Sequence, residues 1–191
     1  MPIIKQVVPS IYVGTIEMWI RSNFAGNDSR KYVMLDYFNA VNNRITISKE
    51  ANNEWQALLY GDENSVEVNS SSTSSSAGDD VHIVFRYDRN KTDGTNFMQL
   101  YINAVETDQS TSDWGNFQDV PNTLFIGEDK DQGNTFNGDI HLRVWDLVLP
   151  KLTTEASNQG LLYSIDGNYN SGSGNLVANN SNLLFQIVKG Q

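Results

Sequence analysis

The sequence predicts an all-β domain that folds as a sandwich or a barrel. Apolar and polar residues alternate with a period of two in many short segments, which is the pattern of strands that bury one face. These segments are rich in β-branched and aromatic residues, and clusters of Gly, Asn, Asp or Ser separate them. Many short strands at such spacing are typical of sandwiches and barrels.

The first strand is predicted at 14–21, where Ile16, Met18 and Ile20 share one face. The same pattern predicts further strands at 43–50, 53–60, 65–69, 80–88, 96–103, 122–127, 138–149 and 182–188. Only the segment 151–165 has residues that favour a helix. Thr153 or Thr154 can cap its start and Gly160 ends it early, so we expect at most one short helical turn. The Ser-rich segment 69–80 and the polar segment 166–182 are predicted to be surface loops.

Length and charge limit the classes of protein that the chain can represent. Its 191 residues are enough for one domain with a two-layer core, so we expect a single domain over 1–191. The formal charge of -10 disfavours nucleic acid, which binds clustered Lys and Arg. There is no cysteine for disulfides or thiolate metal sites. No apolar run has the length of a membrane span or of a signal peptide, so we expect a soluble chain without a leader.

The order of several segments resembles a known superfamily. The segments GTIEMWIR, VHIVFRYDR with MQLYINAVET, TLFIG and FNGDIHLRVWDLVL resemble the laminin G-like and pentraxin-like domains of the concanavalin A-like lectin superfamily. The resemblance covers roughly residues 12–155, and its most specific part is GDIHLRVWDLVL, at 138–149. It implies a jelly-roll sandwich of two antiparallel sheets, with 166–191 forming a long loop and a returning strand.

The resemblance also implies a calcium site. Asn42 and Asn43 match the family's Asp-Asn pair, and Asp129 and Asp131 match its acidic ligands after the Ile-Gly strand end. Independently, Glu128, Asp129 and Asp131 would repel one another if the loop brings them together, and a hard cation such as Ca²⁺ would relieve this. Acidic and amide residues are equally typical of an ordinary solvated turn, so both interpretations remain open.

Trp114 is the candidate for ligand binding, because it lies in the polar, Gly-containing segment STSDWGNFQD where a sugar ring could stack on it. The alternative is a loop anchor that tucks against the sandwich. We expect Trp19, Trp55, Trp145 and Phe136 to pack in the core or on a sheet face. His82 and His141 are expected to be strand residues with hydrogen bonds of their own.

No catalytic signature stands out. The segment MLDYFNA, at 34–40, lacks the glutamates of the Glu-x-Asp-x-x-Glu pattern that glucan hydrolases of this superfamily carry on one strand. We therefore expect a non-catalytic recognition module that binds carbohydrate or another polar surface ligand, with or without the help of calcium. The alternative is a structural protein, such as a virion decoration, fibre or appendage subunit that associates with itself or with a carrier; glycoside hydrolysis is a remote third. Both the recognition module and the structural protein are expected on an extracellular surface or a virion.

Overall fold

Eleven strands make up the fold in a computed structural model that describes residues 12–40, 43–61, 64–89, 96–116, 123–129, 131, 133–145, 148 and 161–169. The strands are β1 (Val13–Ser22), β2 (Tyr32–Ala40), β3 (Asn43–Lys49), β4 (Trp55–Tyr60), β5 (Ser65–Asn69), β6 (Asp80–Asp88), β7 (Phe97–Ile102), β8 (Val105–Ser110), β9 (Thr123–Ile126), β10 (Gly138–Trp145) and β11 (Leu161–Tyr169). The described residues contain no helix, and thus none that could cross a membrane.

The strands form two antiparallel sheets, as the family resemblance implies. The six-stranded sheet, called the front sheet here, has the order β11-β10-β1-β6-β7-β8. The five-stranded sheet, called the back sheet, has the order β5-β4-β3-β2-β9. Non-consecutive strands are neighbours in both sheets, which is the connectivity of a jelly-roll sandwich rather than of a simple meander.

The core lies between the inward faces of the two sheets, and the period-two pattern determines which residues enter it. In β1, Ile16, Met18 and Ile20 are at most 1% exposed. In the back sheet, Tyr37 and Ile47 are buried to the same degree. Burying one such side chain stabilises the fold by about 1.5–3 kcal/mol, so the alternating positions contribute most of the driving force. Trp55 and Phe136 are also fully buried, as predicted.

Three strands, β2, β8 and β11, were not predicted, and two predictions are wrong in part. Strand β8 carries the mostly polar sequence VETDQS at the edge of the front sheet, so it lacks the apolar alternation that marks a half-buried strand. Strand β2 was not predicted as a strand. The proposed helical turn near 151–165 is wrong for 161–165, which belongs to β11, and the loop predicted at 166–182 is wrong for 166–169. Residues 151–160 and the strand predicted at 182–188 lie outside the described residues.

Candidate functional site

An open groove of about 440 Å³ lies on the outward face of the front sheet. Its lining includes Arg86, Asp88, Phe97, Gln99, Tyr101 and Glu106. The groove therefore combines two aromatic rings with a guanidinium, an amide and two carboxylic acids.

Strand geometry places these side chains together. Successive side chains of a strand point to opposite faces, so Phe85 and Tyr87 of β6 enter the core while Arg86 and Asp88 face outward. The register of β6 and β7 pairs Arg86 with Gln99 and Asp88 with Phe97. Apart from Val148, the groove is thus lined by strand residues.

A tight turn extends the groove onto β8. Asn103 and Ala104 connect β7 to β8 with φ angles of 50° and 66°, the left-handed values that a two-residue type I′ hairpin turn requires. The turn sets the register in which Tyr101 lies opposite Glu106. Because this register is fixed locally, the Glu106 carboxylate reaches the Tyr101 hydroxyl, with 2.9 Å between the two oxygens.

Arg86 occupies the middle of the groove. Its guanidinium carbon lies 5.5 Å from the centroid of the Phe97 ring and 5.9 Å from that of Tyr101, so both rings hold it by cation–π attraction. Its Nη1 donates a long hydrogen bond of 3.5 Å to the Tyr101 hydroxyl. Its Nε is buried and has no hydrogen-bond partner among the described residues. A donor in this state favours a ligand that brings an acceptor.

The Tyr101 hydroxyl is held as a proton donor. Its oxygen lies 2.9 Å from Gln99 Oε1 and 2.9 Å from Glu106 Oε2, and its single proton can serve only one of them at a time. Burial raises the pKa of Tyr101, and the hydrogen bond with Glu106 raises it further. The hydroxyl therefore stays protonated at neutral pH, and the groove keeps a fixed polar framework.

A second cluster covers the same sheet face around Trp19. The Trp19 ring stacks on His82 at 4.6 Å between centroids and meets His141 edge-on at 5.1 Å. The Arg143 guanidinium lies 5.1 Å from the Trp19 centroid. His82 Nε2 is 2.9 Å from Glu17 Oε1, so His82 has the hydrogen bond expected of a strand histidine. Trp19 is packed on the sheet face, as predicted, and its neighbours already cover its ring.

The interpretation of Trp114 as a sugar-stacking residue is wrong. Its exposed fraction is 0%, and it belongs to the main hydrophobic core, so no ring face is open to a ligand. Its carbonyl oxygen accepts a hydrogen bond of 3.0 Å from the Gly61 N–H. A Cβ at position 61 would lie 2.1 Å from that oxygen, so glycine permits this close approach. Trp114 is the loop anchor that was the alternative.

The predicted metal ligands are only partly brought together. Asp129 and Asp131 share one loop, in which the Asp131 N–H donates to Asp129 Oδ1 at 3.1 Å. Asn43 is 4% exposed at the start of β3, and Asn42 lies outside the described residues. The described part of the chain contains no group of three or more His, Asp or Glu side chains arranged to hold a metal ion.

Asp129 does not fit a calcium ligand well. Its Oδ1 also accepts a 2.8 Å hydrogen bond from the Gly133 N–H, and its Oδ2 accepts one of 2.8 Å from Asn134 Nδ2. Burial opposes ionisation, but these bonds and the nearby Arg44 outweigh it and lower the pKa of Asp129. N–H donors thus occupy three of the roughly four lone-pair positions of the Asp129 carboxylate, and a calcium ion would need these same positions. The calcium site as a whole stays a prediction.

Comparison with known proteins supplies the family. A family model of the laminin G type, described as the concanavalin A-like lectin/glucanases superfamily, matches residues 9–152, which is more than half of the 191-residue chain. The chain belongs to this superfamily. Comparison of this concanavalin A-like chain with curated proteins gave no match.

Solved structures show the same fold. The native heptameric SAP-like pentraxin from Limulus polyphemus is 11% identical, with a TM-score of 0.55 over 75% of this chain and 68% of that chain. The CBM40 of the Ruminococcus gnavus IT-sialidase, bound to α2,3-sialyllactose, is 13% identical, with a TM-score of 0.56 over 78% and 85%. The K499G mutant of the NanB sialidase from Streptococcus pneumoniae is 13% identical, with a TM-score of 0.55 over 74% and 23%.

Sequence reasoning missed the groove of this concanavalin A-like domain, although a signal was present. Phe97, Gln99 and Tyr101 occupy alternate positions of one predicted strand, so they had to share one face. Their outward direction and the proximity of Arg86 depend on pairing between strands, which the sequence alone did not specify.

Proposed function

We propose that this concanavalin A-like domain is a non-catalytic carbohydrate-binding module whose site is the groove on the front sheet. The observation that carries the proposal is the combination, in one open groove, of the Phe97 ring, the Arg86 guanidinium and the Glu106 carboxylate. Sugars present apolar C–H faces that pack on aromatic rings, and hydroxyl groups that both donate and accept hydrogen bonds. The groove offers a partner for each of these features.

The size and rigidity of the groove support this assignment. Its volume of about 440 Å³ lies within the usual range for small-molecule sites. The lining residues of β6 and β7 are held by the sheet ladder, and Arg86 and Tyr101 restrain each other. A ligand therefore orders few side chains when it binds, which lowers the entropic cost of binding.

The comparisons are consistent with the same kind of module. One similar solved structure is a CBM40 bound to a sialylated oligosaccharide, and another is a pentraxin. At 11–13% identity these structures share the fold with this chain, and the assignment of a glycan ligand depends on the groove itself.

The proposal contains no chemical step. Hydrolysis of a glycosidic bond requires two carboxyl groups on either side of that bond, with one protonated as the general acid. The groove contains two carboxyl groups, those of Asp88 and Glu106, and Glu106 Oε2 already lies 2.9 Å from the Tyr101 hydroxyl oxygen. Incubation of oligosaccharides with the protein should release no reducing sugar, and release above the buffer control would contradict a purely binding role.

The test is a glycan array followed by calorimetric titration of the best hits. Phe97→Ala removes one aromatic wall of the groove and should weaken binding by about tenfold or more. Tyr60→Ala is the matched control, because Tyr60 is a half-buried aromatic residue of a strand in the back sheet. Wild-type protein that binds no glycan would overturn the proposal, as would equal affinity of wild type and Phe97→Ala. Equal losses in both variants would contradict the location of the site.

A further inference from the structure

Arg86 differs from Arg21, Arg44 and Arg89 in its contacts, and like Arg143 it lies beside an aromatic ring. Arg21, Arg44 and Arg89 each lie within 4.0 Å of a carboxylate oxygen, from Asp80, Asp36 and Asp113 respectively. Arg86 has no such carboxylate among the described residues; its contacts are the two aromatic rings and the Tyr101 hydroxyl. Its positive charge is thus held in the groove without a direct ion pair.

The geometry of Arg86 leaves part of its hydrogen-bonding capacity unused. A guanidinium carries five N–H donors in a planar fork that matches the two oxygens of a carboxylate. The single hydrogen bond to Tyr101 is 3.5 Å long, and the buried Nε donor has no acceptor within the described part of the chain. The unused donors need an oxygen acceptor, and a carboxylate is the strongest one that a saccharide can provide.

We propose that the groove selects a saccharide that carries a carboxylate, with Arg86 as the residue that determines this specificity. This inference rests on the proposed carbohydrate-binding function. The sugar carboxylate pairs with the Arg86 fork, and the saccharide ring packs against Phe97.

The rest of the groove narrows the class of ligand further. Asp88 and Glu106 place two acidic groups beside the single guanidinium, and the whole chain carries a formal charge of -10. An anion that does not pair with Arg86 is therefore repelled. The ligand is accordingly a sugar with one isolated carboxylate, such as a uronic or sialic acid residue on a neutral oligosaccharide, and not a densely sulfated polymer.

The experiment compares each acidic sugar with its own methyl ester, which removes the charge and keeps the ring. The probes are oligosaccharides ending in glucuronic, galacturonic or N-acetylneuraminic acid, titrated calorimetrically with the wild-type protein. One acid should bind roughly 10- to 100-fold more tightly than its ester, as expected for a charge-assisted hydrogen bond. Heparin should not compete.

Variants assign this preference to Arg86. Arg86→Gln should bring the ratio of acid to ester affinity close to one, and this ratio is the readout because Arg86 also lines the groove that holds the ester. Arg86→Lys keeps the charge without the fork and should give an intermediate ratio. Arg143→Gln is the matched control, because Arg143 lies on the same sheet face against Trp19 and outside the lining of the groove.

The possible outcomes separate the two proposals. Equal binding of acid and ester by the wild type would overturn the inference about the carboxylate and leave carbohydrate binding intact. No binding of any saccharide would overturn both. An Arg86→Gln variant that keeps its acid preference, or an Arg143→Gln variant that loses it, would contradict the role of Arg86. Competition by heparin would contradict the single isolated carboxylate.

Discussion

The ammonium of Lys49 lies 2.6 Å from Oδ1 of Asp28, and the side chain of Lys49 is completely buried. The same nitrogen donates to the Arg30 carbonyl at 2.9 Å and to Asn53 Oδ1 at 3.0 Å. Three oxygens thus surround one buried cation, and they come from the 28–30 segment and from the turn before β4. Lys49 connects these segments to β3 from inside the fold.

Replacing Lys49 with Met should destabilise the protein by about 3 kcal/mol, because the Asp28 carboxylate and two carbonyl oxygens would lose their donor. Lys31→Met is the control, since Lys31 pairs with Glu50 at 2.7 Å on a more exposed site and should contribute less than about 1 kcal/mol. Urea unfolding of both variants measures the difference. Similar losses in the two variants would contradict the special role of the buried ammonium.

Asp28 should make stability depend on pH in the acid range. Burial opposes its ionisation, but hydrogen bonds from Lys49, Tyr32 and the Arg30 N–H outweigh this and lower its pKa. The unfolded chain then binds the proton at a higher pH than the folded protein does, so stability rises with pH. The contribution is complete above an ordinary Asp pKa of about 3.9 and is lost as pH falls through the lower folded-state value.

Urea unfolding between about pH 2.5 and 6 tests this dependence in Asp28→Asn. The variant should be less stable than the wild type near neutral pH, and the difference should shrink in acid. Asp80→Asn is the comparison, because Asp80 is an exposed residue whose pKa is lowered mainly by its hydrogen bond from Arg21. Because solvent screens the exposed Asp80 carboxylate, the change in stability should be smaller for Asp80→Asn than for Asp28→Asn. If the free energy of unfolding differed between Asp28→Asn and the wild type by the same amount at every pH, the coupling between stability and ionisation of Asp28 would be refuted.

The hydrogen bonds of the Asp129 carboxylate predict that calcium leaves the melting temperature unchanged, whereas the calcium site implied by the family resemblance predicts a rise. Asp129 already accepts hydrogen bonds from Asp131, Gly133 and Asn134, so melts in excess EDTA, in millimolar calcium and in magnesium are expected to coincide. A cation at one hundred times its dissociation constant would stabilise the fold by about 2.7 kcal/mol, which a melt detects easily. A calcium-selective rise that Asp129→Ala abolishes would support the metal site that the family resemblance implies.

Asp129→Ala should lower stability by about 1–3 kcal/mol to the same extent in EDTA and in calcium, because it leaves loop N–H groups without their acceptor. Asp131→Ala is the control, since the side chain of Asp131 is exposed and should change stability by roughly 0.5 kcal/mol or less.

Trp114→Ala should destabilise the protein by about 3–5 kcal/mol, the usual cost of truncating a large buried aromatic residue. Glycan binding by the remaining folded protein should be nearly unchanged, because Trp114 does not line the groove. The measurements are chemical unfolding and a titration corrected for the folded fraction. Normal stability together with lost binding would support the original stacking interpretation instead.

The sequence predicted the β-sandwich well because its apolar residues alternate with polar ones, and the apolar positions, such as Ile16, Met18 and Ile20, are the buried ones. Strand β8 escaped prediction because both of its faces are largely exposed, so no alternation marks it. Trp114 was misjudged because its neighbours in sequence are polar, whereas its side chain packs in a core made of residues distant in sequence.

The candidate site was harder to predict than the fold. Arg86 and Phe97 are 11 residues apart in the chain and meet only through the register of β6 and β7. The family resemblance also directed the prediction to the loop around Asp129, and that loop satisfies its carboxylate with its own N–H groups.

The groove and the core use alternate residues of the same strands. In β6, Phe85 and Tyr87 stabilise the sandwich, while Arg86 between them faces the groove. Substitutions at outward positions can therefore exchange one ligand for another at little cost to folding, and substitutions at inward positions can adjust stability without redesigning the site. A lineage carrying this domain could change its target surface through a few outward residues of β6, β7 and β8 while the architecture beneath them stays the same.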